Sequence, residues 1–356
     1  MKGQSLAENS RLAEKLHRLI EQSGPISVAQ FMAEANMEYY ATRDPLGAAG
    51  DFITAPEISQ MFGELVGLWC ADLWMRAGSP ADIHYVELGP GRGTLARDAL
   101  RAMAKVGCNP DVHLVETSPV LREAQASLVP AAQFHHDSST LPQSGPLLIV
   151  ANEFFDALPI RQLVATHSGW RERVIARDKG AFIAIPGTIN MTTAVPDITR
   201  NKPPGTILET SPASTAIMHD LASRLASQGG AMLAIDYGYE GPATGDTLQA
   251  MYRHEFADPL ANIGNQDLTA HVDFSALAEA ARSASIRVTP VVGQGAWLKS
   301  LGLEPRAQSL STAHPDRATM IQSEVHRLTH EEEMGSLFKV MAAYAPGWPR
   351  PEGFAE

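Results

Sequence analysis

His84-Tyr85-Val86-Glu87-Leu88-Gly89-Pro90-Gly91-Arg92-Gly93-Thr94 is the stretch whose reading decides the fold. Its first five residues read as an apolar strand, and residues 94–104 follow at once with helical spacing. Glycines 89, 91 and 93 fill the turn between them, so the backbone can bend tightly and meet a ligand without a Cβ in the way. The helix that opens at Thr94 offers free N–H groups to a carboxylate. A dinucleotide fingerprint wants glycine at positions 1, 3 and 6, but position 6 counted from Gly89 is Thr94, and the spacing here is 1, 3 and 5. Glu87, two residues before the first glycine, suits a ligand ammonium that a nicotinamide cofactor does not carry at that place.

Glu116 ends the next strand, 23 residues beyond Gly93, where a carboxylate can accept both hydroxyls of a ribose. NAD uses the same contact, so the discrimination rests on Glu87 and the glycine spacing, and these point to S-adenosyl-L-methionine. Thr94, Thr117 and Asn152 join the expected cofactor set, and Asp137, after the third strand, supplies a polar contact to adenine. The plainer alternative is that Glu87 and Glu116 are solvated strand ends. Three features in register on one βαβαβ unit favour the ligand site.

Outward from this unit, strands at 84–88, 112–116, 132–135 and 147–151 alternate with helices at 94–104 and 119–127, the pattern of a parallel doubly wound sheet. Residues 160–205 break the rhythm: 164–166, 173–175 and 181–185 read as short antiparallel strands of a β insertion. A helix over 213–228, stopped by Gly229-Gly230, and a buried strand over 231–235 resume it, followed by a loop-rich stretch at 242–264 and a helix over 274–283. Upstream, helices over 6–22 and 27–35 precede a loop at Tyr39–Phe52 and an amphipathic helix at Ile58–Met75. The expected fold is α/β, a Rossmann-like doubly wound sheet with an added β-rich and helical subdomain. Its parts are an N-terminal helical and lid segment (1–80), a cofactor-binding core (81–160), a β-rich insertion (161–210) and the rest of the core with C-terminal elements (211–356).

The fourth strand ends in Ala151-Asn152-Glu153-Phe154-Phe155-Asp156-Ala157-Leu158-Pro159. Ligands of open parallel sheets bind beyond the carboxyl ends of strands, so Asn152, Glu153 and Asp156 point into the same crevice. A local alternative makes Asn152 and Asp156 caps of a following helix. Asp51-Phe52-Ile53-Thr54-Ala55-Pro56-Glu57 likewise has two readings. Thr54 and Glu57 have capping-box spacing with Pro56 in the first turn, yet the density of Asp, Thr and Glu leaves room for a substrate role. Asp236-Tyr237-Gly238-Tyr239 is a further carboxyl-end loop, Asp273 reads as a helix cap, and His135-His136-Asp137 reads as a strand end; no metal site is expected.

A net charge of −12 argues against a nucleic-acid partner, because backbone phosphates are bound through many lysines and arginines. The two cysteines, Cys70 and Cys108, form no metal or disulfide pattern. No apolar run reaches the ~18 residues of a membrane span, and a reducing cytoplasm is the expected location.

With these residues placed, the chain resembles the MidA-type methyltransferases, the mitochondrial complex I assembly factor with protein-arginine methyltransferase activity and its bacterial relatives. The matching stretches include Gly50–Gly63, Val86–Leu95, Val115–Arg122, Ala151–Gln162, Trp170–Val174, Asp236–Gly238, Gly245–Ala250, His271–Phe274 and Met334–Lys339. One departure is Met37-Glu38-Tyr39-Tyr40, where the family has a longer segment carrying Gly-Tyr-Tyr. The resemblance implies a class I methyltransferase fold and symmetric dimethylation of an arginine in a peripheral-arm subunit of complex I. A methyltransferase acting on another amide, amine or small molecule, and an assembly chaperone that keeps the cofactor site, are the rivals. Guanidinium is always protonated and its lone pair delocalised, so carboxylates must orient it. Glu153 leads the candidates, with Asp156, Asn152, Asp51 and Glu57 behind it.

Overall fold

The computed structural model describes residues 10–42, 54–252 and 255–354. Helices α1 (Ser10–Ser23) and α2 (Val28–Thr42) flank a two-residue strand, β1 (Ile26–Ser27). The sequence suggested an end for α2 at Ala35, but the helix runs on because Tyr39 is fully buried and Asn36 finds backbone partners elsewhere in the fold. Residues 39–42 of the expected loop are therefore helical, and the remainder, 43–52 with Asp51 included, lies outside the described residues. What reads as one helix downstream is two, α3 (Ala55–Ile58) and α4 (Gln60–Arg76), separated by Ser59, whose hydroxyl caps α4 at Met61 N.

The central unit then runs β2 (His84–Leu88), α5 (Thr94–Lys105), β3 (Asp111–Val115), α6 (Pro119–Leu128), β4 (Gln133–His135) and β5 (Leu147–Asn152). Next come β6 (Arg161–Thr166), β7 (Gly169–Asp178), β8 (Ala181–Asn190) and β9 (Ile207–Thr210), which with β1 form a separate five-stranded sheet. Helix α7 (Pro212–Gln228) returns the chain to β10 (Gly230–Tyr239). A small sheet is formed by β11 (Gln249–Tyr252) and β12 (Glu255–Ala257), which lie within the stretch read as loop, and β13 (Asp267–Thr269), which follows it. The chain closes with β14 (Val272–Asp273), α8 (Phe274–Ser283), β15 (Arg287–Val288), β16 (Val292–Gly293), α9 (Gln294–Ser300), α10 (Leu303–Ala313), α11 (Ala318–Thr329) and β17 (Phe338–Tyr344). No helix among the described residues is long and apolar enough to cross a membrane.

In the main sheet the order is β15-β17-β10-β5-β2-β3-β4, with β17 antiparallel to β10 and the strands from β10 to β4 parallel. The chain steps outward from β2 to β4, then restarts at β5 on the other side of β2, which makes a switch point between β2 and β5. Register aligns their ends: Leu88 pairs with Ala151, and Asn152 with Ile235. The turn after β2, the end of β5 and Asp236 of β10 are thereby delivered to one edge of the sheet.

Every residue of β5 is buried, as is β10 from Gly230 to Asp236, because both faces of the sheet are covered. One face packs under α4, α5, α9, α10 and α11, the other under α7 and α8. A third apolar cluster joins α1 and α2 to β7 and the small sheet, and so brings the N-terminal helices over the carboxyl edge. His135, read as a strand end, belongs to a hydrogen-bonded row of imidazoles across β2, β3 and β4: His84 Nδ1 lies 3.2 Å from His113 Nε2, and His113 Nδ1 lies 3.0 Å from His135 Nε2.

Helices α4 and α5 meet at Gly67, where a Cβ would stand 2.2 Å from Ala99 O and 2.6 Å from Ala99 Cα. Alanine would add about 1 kcal/mol of helix propensity, but a clash with backbone costs about 1–3 kcal/mol or more. Gly67→Ala should therefore lower the urea unfolding midpoint. A raised midpoint, the ordinary outcome for an exposed helical glycine, would mean that the two helices are not in this close contact.

Candidate active site

Gly89, Gly91 and Gly93 have φ of 58°, 55° and 86°, in the left-handed region that side chains with a Cβ rarely enter. A Cβ on Gly89 would also stand 3.1 Å from Phe154 Cδ2. The turn is closed by Gly89 N donating to Val115 O (3.0 Å) and Gly93 N to Pro90 O (2.8 Å), and Gly93 is the N-cap of α5. A residue that the sequence reading missed spaces this turn against β3. Gln125 of α6, fully buried, donates from Nε2 to Gly91 O (2.6 Å) and to Glu116 Oε2 (3.2 Å). Its only signal in the sequence is a polar residue on the apolar face of its helix.

The glycine turn opens into a cavity of about 1060 Å³ at the carboxyl ends of β2, β3, β5 and β10. That is the upper end of the range for small-molecule sites, wide enough for a nucleoside cofactor and part of a second molecule. At one end Glu87 is 2% exposed and accepts a 2.6 Å bond from Tyr85 Oη. Burial pushes its carboxyl up to about 8 in spite of that bond. Glu116 accepts from Ser118 N (2.8 Å), and burial raises its pKa against its hydrogen bonds. Thr117 is exposed at the rim. Asp137 lines the same end, but its Oδ1 takes Ser139 N (2.8 Å) and the Ser139 hydroxyl, bonds that lower its pKa. Its Oδ2 lies 3.9 Å from His136 Nδ1.

Glu57 does not act as the capping-box partner of Thr54. Thr54 occupies the N-cap position of α3 without a side-chain capping bond, and Glu57 Oε1 instead accepts from Thr94 Oγ1 at 2.5 Å. The α3 turn is thus tied to the first residue of α5.

At the other end β5 runs into Asn152 and Glu153, the latter at φ 51°, a left-handed residue with a side chain. Glu153 Oε1 accepts from Asn152 Nδ2 (3.2 Å) and Ala55 N (3.4 Å). Asp236 Oδ2 collects three successive backbone donors, Phe154 N (3.2 Å), Phe155 N (2.9 Å) and Asp156 N (3.3 Å), and Oδ1 takes Tyr237 N (2.9 Å). No helix follows; the chain turns and enters β6, which removes the capping alternative for Asn152 and Asp156. Burial pushes Glu153 to about 7, and burial with the Glu153 charge pushes Asp156 to about 7. Asp236 is raised as well, by burial and then by Asp156 and Glu153.

A family model of S-adenosyl-L-methionine-dependent methyltransferases matches residues 65–292. The chain belongs to that family. Relatives named protein arginine methyltransferase NDUFAF7, mitochondrial, include one from Danio rerio, 36% identical over 93% of this chain and 86% of its own, and one from Homo sapiens, 34% identical over 96% and 85%. A COG1565 superfamily member from Burkholderia thailandensis, solved with S-adenosyl-homocysteine bound, superposes at a TM-score of 0.87 with 26% identity over 99% of this chain and 96% of that one. The fold is the α/β class I methyltransferase fold, and the cofactor is S-adenosyl-L-methionine.

The methyltransferase carries groups that suit this cofactor. Glu87 is a desolvated carboxyl whose pKa would return toward normal beside an ammonium, and Glu116 is a carboxylate fixed by Ser118 N and Gln125 Nε2. Asn152, 8% exposed, holds a buried Oδ1 with no hydrogen-bond partner among the described residues.

Two outcomes follow. Binding of S-adenosyl-homocysteine at pH 7 should release up to one proton, since its ammonium favours ionised Glu87, and affinity should rise as pH approaches about 8. Calorimetry in buffers of different ionisation enthalpy measures this, and a proton count unchanged by Glu87→Gln rules the contact out. Gly91→Val should abolish cofactor binding with the circular dichroism spectrum intact; retained affinity would misplace the pocket.

Proposed function

We propose that this methyltransferase acts on an arginine side chain of a protein, by symmetric dimethylation of a peripheral-arm subunit of complex I in support of its assembly. The names that the relatives carry support the arginine reading, and the family resemblance of the sequence supplies the complex I subunit. The observation that carries the reading is the pair Glu153 and Asp156, two desolvated carboxyls at the end of β5 in the cavity that the glycine turn opens. A bacterial cytoplasm is part of the same proposal and suits two free, buried cysteines.

S-adenosyl-L-methionine supplies a methyl group on a sulfonium, so transfer is an in-line displacement governed by positioning. Glu153, held by Asn152 Nδ2 and Ala55 N, accepts guanidinium N–H bonds and draws positive charge toward the nitrogens that do not react. Asp156 adds a second carboxylate, fixed because its own backbone is pinned to Asp236. Asn152 Oδ1 accepts one further N–H. With pKa values near 7, Glu153 and Asp156 are suited to take the proton that leaves with or after transfer. Glu57, tied to Thr94, borders the same cavity. Asp51 remains a candidate on its sequence position alone.

Labelled methyl transfer to purified peripheral-arm subunits, with mass spectrometry to place the label, should yield dimethylarginine. Glu153→Gln should reduce kcat by about 100-fold or more while cofactor affinity holds. KM for the cationic substrate should fall as pH rises through about 7, because the ionised carboxyls bind it. A fully active Glu153→Gln enzyme, or label on a residue other than arginine, overturns the assignment.

A further inference from the structure

The cavity has a second acidic wall. Asp267, on β13, is 4% exposed and lines the cavity, and its Oδ2 accepts a 2.9 Å bond from Tyr40 Oη near the C-terminal end of α2. Its strand is fastened to the turn that carries Glu153 and Asp156. Asn36 Nδ2 donates to both Leu268 O (2.8 Å) and Ala157 O (3.0 Å), and Asn36 Oδ1 accepts from Leu268 N (3.1 Å). Ala270 N donates to Asp156 O (3.0 Å). These bonds fix β13 relative to the end of β5, and the charges are close enough to act on each other. Asp267 helps to raise Glu153, and Asp267 and Asp156 both help to raise Tyr40.

Among the described residues, seven carboxylates and one arginine line the cavity. Four of them, Glu87, Glu116, Asp156 and Asp267, are buried, and like charges gathered out of water repel strongly, so this lining favours a ligand that brings positive charge. A second observation specifies the kind of cation. Asn152, in the same lining and more than nine-tenths buried, has an Oδ1 without a donor among the described residues, and a buried acceptor of that sort needs an N–H. Guanidinium carries five N–H donors in one plane around a single charge, so it can meet carboxylates on two walls and an amide oxygen at once.

Resting on the arginine reading above, we infer that Asp267, steadied by Tyr40, is a substrate-binding carboxylate that grips the guanidinium from a wall separate from Glu153 and Asp156. Helix α2 and β13 are then determinants of arginine selectivity. Asn36 is a positioning residue, acting through the strand it holds.

The test uses the full chain loaded with S-adenosyl-homocysteine, titrated by calorimetry or ligand-observed NMR with blocked arginine (N-acetyl-arginine methylamide) and with blocked citrulline, its neutral counterpart. Wild-type protein should prefer the arginine probe. Asp267→Asn should weaken it by about tenfold or more with cofactor affinity unchanged, and Tyr40→Phe should weaken it less, in the same direction. If Asp267→Asn fails to bind cofactor, Tyr40→Phe decides, because it keeps the ring; unchanged probe affinity there overturns the inference. If Asp267→Asn binds the arginine probe like wild type while Glu153→Gln does not, Asp267 is structural and the proposed function stands. Wild-type protein that does not distinguish the two probes, or binds neither, overturns both.

Discussion

The carboxylate of Asp236 holds the site together. One buried oxygen gathers the N–H groups of Phe154, Phe155 and Asp156, and the other takes Tyr237 N, so the turn after β5 is wound around the end of β10. Three successive amides converging on one acceptor dictate the path of the chain. Glu153 must adopt φ 51° to enter that turn, and a left-handed residue with a side chain persists only where its surroundings over-determine it. The carboxyls of Glu153 and Asp156, proposed above to bind the substrate, are thus placed by a third carboxylate with a structural task.

The same arrangement concentrates acid where water is scarce. Glu87, Glu153 and Asp156 sit at about 8, 7 and 7, and burial is the largest cause in each case. Carboxyls whose folded pKa exceeds the unfolded value favour the folded state below the unfolded value, and that contribution is lost as pH rises through the folded one. Here the window runs from ordinary carboxylate values to about pH 8. Cationic ligands at the two ends of the cavity would offset the loss, which couples occupancy to stability.

The β2-turn-α5 unit and its neighbours were legible because each signal is local. Glycines 89, 91 and 93 answer to φ, and the alternation of strands and helices answers to burial period. Glu57 was half legible: its spacing fits a cap, and only the fold shows it turned to Thr94. Asn36, Tyr40, Gln125 and Asp267 were not legible, because each owes its role to a partner distant in the chain. The extension of α2 past Ala35 has the same origin, since local propensity does not register burial of Tyr39 by tertiary packing. The small sheet lay hidden in and just after a loop-rich stretch because three- and four-residue strands leave too short a period to read.

Strand β17 enters the sheet between β10 and β15, pairing antiparallel with β10 from Ala231–Tyr344 to Tyr237–Phe338. It is also the last strand of the sheet to be synthesised. Until it emerges from the ribosome, β10 is an unprotected edge, a row of open amides and carbonyls on an apolar strand that any neighbouring chain could extend. The strand that carries Asp236 is therefore open to misassembly on a nascent chain until β17 covers it. For this protein the interval between translation of residues 239 and 344 is a period of vulnerability that timely folding, or a chaperone at the ribosome, has to cover.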